Sequence, residues 1–176
     1  MRKLKSILIL ALLLGALLAS AQAGELKGCL DGVNAENCTL TMSGITIFTQ
    51  DALFRNQLDQ PVPFAALNAG DFVVIDGDFA GQGQFSAKRI QLDYYGKDVI
   101  KGLIESVNLN DHSVYIAGVK VQVTSATWLD DSDDMMIDFI QLVPGSNVRC
   151  TGHWTGSLQF TADRIELKEP TMFKAP

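Results

Sequence analysis

Apolar and polar residues alternate along most of the chain beyond residue 24, in short runs broken by Gly, Asn and Asp. That is the pattern of half-buried β-strands joined by tight turns. It occurs twice. Leu26–Ala52 matches Ile100–Ala126 at a constant offset of 74, and Leu67–Leu92 matches Leu142–Leu167 at a constant offset of 75. Of these 53 aligned positions 17 are identical, where background usage would give about three. The chain therefore carries two copies of one small β-domain.

Each copy opens on a strand-like run, LKGCLDGV in the first and IKGLIESV in the second. Polar turns follow at Asn34–Asn37 and Asn108–Asp111, leading into strands at Cys38–Met42 and Ser113–Ile116. After Gly44 and Gly118 come the strands Ile45–Thr49 and Val119–Thr124. The middle, Leu53–Ala66 and Thr127–Gln141, diverges between the copies and has room for a helical turn at Phe64–Leu67 and at Met136–Leu142. Two more strands close each copy, Asp71–Phe79 with Phe85–Leu92 and Ser146–Trp154 with Phe160–Leu167. Five strands with a loop between the third and fourth is the order of an OB-like, partly open barrel. The expected fold is all-β, with two tandem five-stranded OB-like barrels at residues 24–94 and 98–168. A continuous β-sandwich built from both copies is the alternative. The linker, Asp93–Asp98, is short enough to predict that the two units sit against one another.

The chain begins with Arg2, Lys3 and Lys5, an apolar run from Ile7 to Leu18, and small residues at Ala21-Gln22-Ala23. This reads as a secretory signal peptide over residues 1–23, cut after Ala23. The apolar run is shorter than the roughly 20 residues that a spanning helix needs, so no transmembrane segment is expected once the signal is removed. Residues 169–176, with two prolines and no apolar period, read as a flexible tail. The expected location is periplasmic or secreted.

The formal net charge is −6, and it becomes more negative when the three basic residues of the leader are lost. Non-specific affinity for DNA or RNA comes from Lys and Arg neutralising phosphates, so no nucleic-acid partner is expected. Three cysteines in an oxidising compartment raise the question of a disulfide. Cys29 and Cys38, which flank the first turn, are the candidate pair, although a four-residue loop would set Val33, not Cys29, opposite Cys38. Cys150 takes the place of Ile75 and reads as a buried apolar thiol.

Three short motifs recur in both copies. They are Gly28-Leu30-Val33, Leu67-Gly70-Val73-Gly77 and Ala87-Arg89-Ile90-Leu92, and again Gly102-Ile104-Val107, Leu142-Gly145-Val148-Gly152 and Ala162-Arg164-Ile165-Leu167. Together they resemble the bacterial exported family known as domain of unknown function 5666, which often occurs in tandem. The resemblance covers nearly all of the chain beyond the leader. It implies a small OB-like β-barrel outside the cytoplasm and brings no activity, cofactor or catalytic residue with it.

Candidate chemistry is sparse. Asp130, Ser132 and Asp134 have the one-three-five spacing of oxygen ligands in a calcium loop, but Met135 stands where the sharp turn needs glycine and Gln141 where a closing Glu belongs. A solvated acidic loop competes with that metal reading. Asp111-His112-Ser113 is a triad in composition only, since neighbours in a turn cannot form the required relay. Gly81-Gln82-Gly83-Gln84 lacks the third glycine and following helix of a phosphate loop and reads as a hairpin turn. Arg89 and Arg164 recur, as do Asp31 and Glu105, which suggests an Arg-carboxylate pair tying the closing strand of each copy to its first. The aromatics Phe54/Trp128, Phe79/Trp154 and Phe85/Phe160 also recur. Phe79, Trp154 and Trp128 are candidates for a ligand-stacking rim, against the competing reading of core packing.

The leading functional expectation is an exported, non-enzymatic binding or protein-interaction module, with no cofactor and an unknown protein or envelope component as its partner. The alternatives are an envelope metal-dependent hydrolase using the Asp130–Asp134 loop, or a structural subunit of a surface assembly. The sequence leaves the oligomeric state open.

Overall fold

The protein is described by a computed structural model covering residues 22–168. The expected tail and all of the expected leader except Gln22 and Ala23 lie outside the described residues. The first repeat contains β1 (Gln22–Cys29), β2 (Gly32–Asn34), β3 (Thr39–Met42), β4 (Ile45–Phe48), β5 (Leu53–Arg55), β6 (Phe72–Gly81) and β7 (Gln84–Leu92). The second contains β8 (Asp98–Leu103), β9 (Ser106–Asn108), β10 (Ser113–Ile116), β11 (Val119–Gln122), β12 (Trp128–Asp131), β13 (Asn147–Gly156) and β14 (Gln159–Lys168). The only helical elements among these residues are two 3-10 turns, Phe64–Ala66 and Phe139–Gln141. None is long and apolar enough to cross a membrane.

The all-β expectation holds, and the strand count and connectivity need correction. Each repeat has seven strands instead of five. The opening run breaks at Leu30-Asp31 into two strands, and the divergent middle adds β5 or β12. The strands also do not divide into two separate barrels, because they form one sheet in the order β2-β3-β4-β7-β6-β1-β8-β13-β14-β11-β10-β9. Both β5 and β12 join it in parallel on the closing strands β7 and β14. The repeats merge because β1 and β8 present apolar residues that neither repeat covers alone. Leu26 and Ile100, which face each other across the β1–β8 ladder, are both fully buried.

That ladder is symmetric. Leu26 and Ile100 occupy the same position in their repeats and pair with each other, while Glu25↔Lys101 and Lys27↔Val99 exchange roles on either side. The repeats thus meet across a local twofold axis. The hairpins obey it too: the N–H of Gly83 donates to Ala117 O at 3.0 Å, and at the matched place the N–H of Leu158 donates to Ser43 O at 2.8 Å. Arg149 of β13 adds an ion pair to Glu25 of β1 at 2.7 Å.

Alternation along the strands places Leu40, Met42, Ile45, Ile47, Ile75, Phe85 and Ile90, with their second-repeat counterparts, in one shared core. Cys150 is fully buried between Ile100 and Ile165, and burial pushes its thiol up. Cys29 and Cys38 are free and exposed. The register Val33↔Leu40 puts Cys38 past the far end of β2 from Cys29, so the candidate disulfide does not form. Burial and the nearby charges of Asp98 and Asp31 push the Cys29 thiol up.

The linker is clamped. Lys27 Nζ reaches Asp93 Oδ2 at 2.7 Å and lies 5.4 Å from the centre of the Phe72 ring. The hydrogen bond from Lys27, with a second from the Tyr94 N–H, holds the Asp93 carboxyl below its ordinary value. A depressed carboxyl contributes stability above its unfolded pKa and loses it as pH falls through the folded value. Lys27→Met is therefore expected to cost about 0.5–1 kcal/mol near neutrality, as partly exposed pairs do. Denaturant melts as a function of pH should show the gap to wild type closing below about pH 4. A constant gap down to acid pH would show that the pair contributes nothing through charge.

Candidate functional site

The middle segments, which the sequence could not align, fold alike. In the second repeat β12 leads into a turn in which Asp131 Oδ1 accepts the N–H groups of Asp133 at 2.9 Å and Met135 at 3.0 Å. Asp134 sits at φ 58° and Asp130 bridges to Met136. In the first repeat Asn56 Oδ1 accepts Leu58 at 3.0 Å and Gln60 at 2.9 Å, Asp59 sits at φ 60°, and Arg55 bridges to Pro61. An Asn or Asp that caps its own turn, with a second Asp three residues on in the left-handed region, is what builds both hairpins. The offset of 75 already holds here, so Trp128 corresponds to Leu53 and Phe54 to Leu129, not to each other.

This turn decides the metal question. Asp130 is 1% exposed, and Arg164 fills the place a cation would take. Arg164 Nε donates to Asp130 Oδ2 at 2.9 Å, and its Nη2 lies 2.6 Å from Asp130 Oδ2 and 2.6 Å from Asp134 Oδ1. Trp128 Nε1 adds a donor to Asp130 Oδ2 at 3.0 Å. These carboxylates, Asp130 first, push the guanidinium pKa up. Ser132 lines a neighbouring cleft. The expected ligand set Asp130, Ser132 and Asp134 is thus not assembled, and no group of three or more His, Cys, Asp or Glu suited to a metal occurs among the described residues.

Asp130→Asn keeps the shape but turns an amide N–H toward the Arg164 and Trp128 donors. The expected cost is about 1–3 kcal/mol, read by thermal denaturation. Excess calcium should leave the wild-type melting temperature unchanged. A clear upward shift with calcium would restore the metal reading.

The recurring arginines pair with the turn, not with the first strand. Arg89 Nη2 reaches Asp59 Oδ1 at 2.9 Å and Gln91 Oε1 at 2.7 Å. Asp31 and Glu105 instead accept the N–H groups of Ser43 and Gly118, fixing the β3–β4 and β10–β11 turns. The expected tie between closing and opening strands is corrected accordingly. The triad residues also stay apart in role: Asp111 accepts from Ser113 Oγ at 2.6 Å and pairs with Lys120 at 2.9 Å, while His112 lies against the Phe139 ring at 5.4 Å. Ser113 first, then Lys120, holds the Asp111 carboxyl below its ordinary value.

The aromatic rim is also revised. Phe79 is 5% exposed and meets Phe85 edge-on at 4.9 Å; Trp154 meets Phe160 edge-on at 5.0 Å. Each crosses the local twofold. A Cβ on Gly102 would lie 3.0 Å from the Phe79 ring, and one on Gly28 would lie 2.9 Å from Trp154 Nε1. The two glycines are needed for this close approach. Trp154 also donates from its backbone N–H to Asp98 Oδ2 at 2.9 Å. Phe79 and Trp154 therefore seal the junction between the repeats, and of the three expected rim residues only Trp128 remains substantially exposed.

Two clefts of about 470 Å³ lie in the second repeat. One runs between the β12 turn and the entry to β13, with Asp131, Ser132, Val143, Pro144, Asn147 and Leu167 in its wall. The other lies over His112, Val123, Thr124 and Phe139. Beside the first, Met135, Met136, Ile140 and Val143 are each more than half exposed. Sequence reasoning missed this apolar stretch because it fell in the unaligned middle. Its signal was the contrast with Gln60, Pro61, Ala65 and Asn68 at the matched positions.

A family model described as Domain of unknown function (DUF5666) matches residues 27–91 and again residues 101–166. No curated protein and no solved structure matches the chain.

Proposed function

The chain belongs to the family Domain of unknown function (DUF5666), in two tandem copies, and from that premise we propose that it is an exported, non-enzymatic binding or protein-interaction module. In this reading each copy is an OB-like barrel. Strand order supports it: with β1 and β2 taken as two halves of one bent strand, the path β2-β3-β4-β7-β6-β1 returns to its start, with β4 and β7 parallel.

The observation that carries the binding reading is the apolar stretch Met135, Met136, Ile140 and Val143, which only the second repeat exposes. Four large apolar side chains left exposed within nine residues of sequence support an interaction surface there. The partner is a protein or another envelope component that covers this stretch. Export follows from the leader. Because β1 already pairs Gln22 with Phe79 and Ala23 with Asp78, we place the cut after Ala21, where Ala19-Ser20-Ala21 repeats the small-residue pattern. A cut after Ala23 would remove both rungs.

One experiment tests the whole reading. The chain is expressed with its leader in a bacterial host, recovered from the periplasm or medium, sequenced at its N-terminus, and used as bait against solubilised envelope. Gln22 should be the first residue. A specific partner should be retained by the wild type and lost by Met136→Asp/Ile140→Asp, with stability changed by no more than about 0.5 kcal/mol per surface site. Retention in the cytoplasm, or equal capture by both proteins, would sink the proposal.

A further inference from the structure

The two repeats differ around one aromatic ring. In the first repeat Phe54 of β5 meets Phe64 of the 3-10 turn edge-on, with ring centres 5.6 Å apart, and both rings pack against the core. Their counterparts are Leu129 and Phe139. The second repeat has no ring at the place of Phe54, and a cleft of about 470 Å³ lies there, with Leu129 and Phe139 in its wall. A second exchange borders the same cleft, where His112 replaces Cys38. The backbone of the two turns is alike. Cys38 sits at φ 49° and His112 at φ 50°, and the carbonyl of each accepts a backbone N–H, from Thr49 at 3.3 Å and from Val123 at 2.9 Å. Only the side chains part ways. The Cys38 thiol turns back on Ala35 O at 3.8 Å, whereas the His112 ring lies against Phe139, with centres 5.4 Å apart and planes tilted by 39°. Both rings border the cleft.

The rest of the wall narrows the chemistry of what fits. Val123, Leu129 and Phe139 form its apolar part, while Asn110, Thr124 and Ser125 bring an amide and two hydroxyls. The Asn110 amide and the Ser125 hydroxyl make no hydrogen bond to another described residue. The one carboxylate of the wall, Asp111, is already engaged, by Ser113 Oγ at 2.6 Å and by Lys120 Nζ at 2.9 Å. A charged ligand would therefore give up its water without meeting a free counter-charge. A wholly apolar ligand would cover the amide and hydroxyls and leave them unpaired. A neutral ring with an apolar face and a hydroxyl-bearing edge satisfies both parts of the wall, and a cleft of this volume is of the size that small ligands occupy. We propose that this cleft binds one neutral sugar ring, with its apolar face on Phe139 and His112 and its hydroxyls on Asn110, Thr124 and Ser125. The site is separate from the apolar stretch of the proposed function, since none of Met135, Met136, Ile140 or Val143 borders it.

The test records saturation-transfer NMR on the full exported chain with the methyl glycosides of glucose, galactose, mannose and N-acetylglucosamine, each in turn, and with adenosine as a flat-ringed control that carries a base. The expected result is transfer to the ring protons of at least one glycoside, with a matching shift of the His112 ring protons. Two variants locate the site. His112→Asn removes the imidazole and keeps a residue at ease in the left-handed region, and Leu129→Phe restores the ring that the first repeat carries. Each should lose the signal while melting close to wild type. Should Leu129→Phe fail to fold, His112→Asn, at an exposed turn position, decides alone. No transfer to any of the glycosides, transfer to adenosine alone, or an undiminished signal in either folded variant would overturn the proposal.

Discussion

Gly152→Val, like Gly77→Val in the first repeat, should leave little folded protein, with a loss of at least about 4 kcal/mol. A Cβ at Gly152 would lie 2.1 Å from the carbonyl oxygen of Thr161, and one at Gly77 the same distance from that of Ser86. Both atoms are backbone, so no rotamer change relieves the contact. The crowding has a structural origin. At each site the ladder between the two long strands slips by a residue, between Thr151 and Gly152 and between Asp76 and Gly77. Such a bulge bends the strand and swings the partner's carbonyl over the glycine. Yield and thermal melts of the two single variants decide the matter. Melting within a few degrees of wild type would mean that the strands can reopen this bulge at little cost.

The second large effect concerns the junction. Leu26→Ala and Ile100→Ala are each expected to cost about 2–5 kcal/mol, the usual range for truncating a fully buried aliphatic side chain. Since the two residues face each other in one ladder, their effects should not add, and a double-mutant cycle should return a coupling of about 0.5–3 kcal/mol. The wild type should unfold in a single transition, with both repeats reporting the same midpoint. Two resolved transitions, or strictly additive costs, would show the repeats to be independent units that merely touch.

Much of this architecture was legible in the sequence. The repeat, the turn glycines Gly44 and Gly118, the long closing hairpins and the burial of Cys150 all follow from alternation and offset. Three things were not legible, each for a physical reason. The hairpins of β5 and β12 depend on the side chains of Asn56 and Asp131 binding their own backbone, and an Asn matched to an Asp inside otherwise different residues gives alignment nothing to hold. The switch of offset from 74 to 75 falls within that stretch, which is why Phe54 was matched to Trp128 when Leu53 is its partner. The pairing of β1 with β8 leaves no mark distinguishing it from an ordinary core strand, because Leu26 and Ile100 would be apolar in either case. The candidate site suffered the same way. Asp130 and Asp134 were expected as metal ligands, whereas the cation they meet is Arg164, which lies 30 or more residues away in sequence and was assigned to Glu105.

The local twofold through Leu26 and Ile100 has a consequence for how this molecule can vary. In an assembly of two identical chains, any substitution near the axis is made on both sides at once, so a change that suits one face must be tolerated on the other. Here both halves are encoded in one polypeptide, and each can drift alone. Phe79 meets Gly102 on one side while the larger Trp154 meets Gly28 on the other. Arg55 stands where its counterpart is Asp130, reversing the sign of a charge in a single copy. A covalently joined pair thus keeps the economy of a symmetric joint while one member specialises and the other preserves the frame.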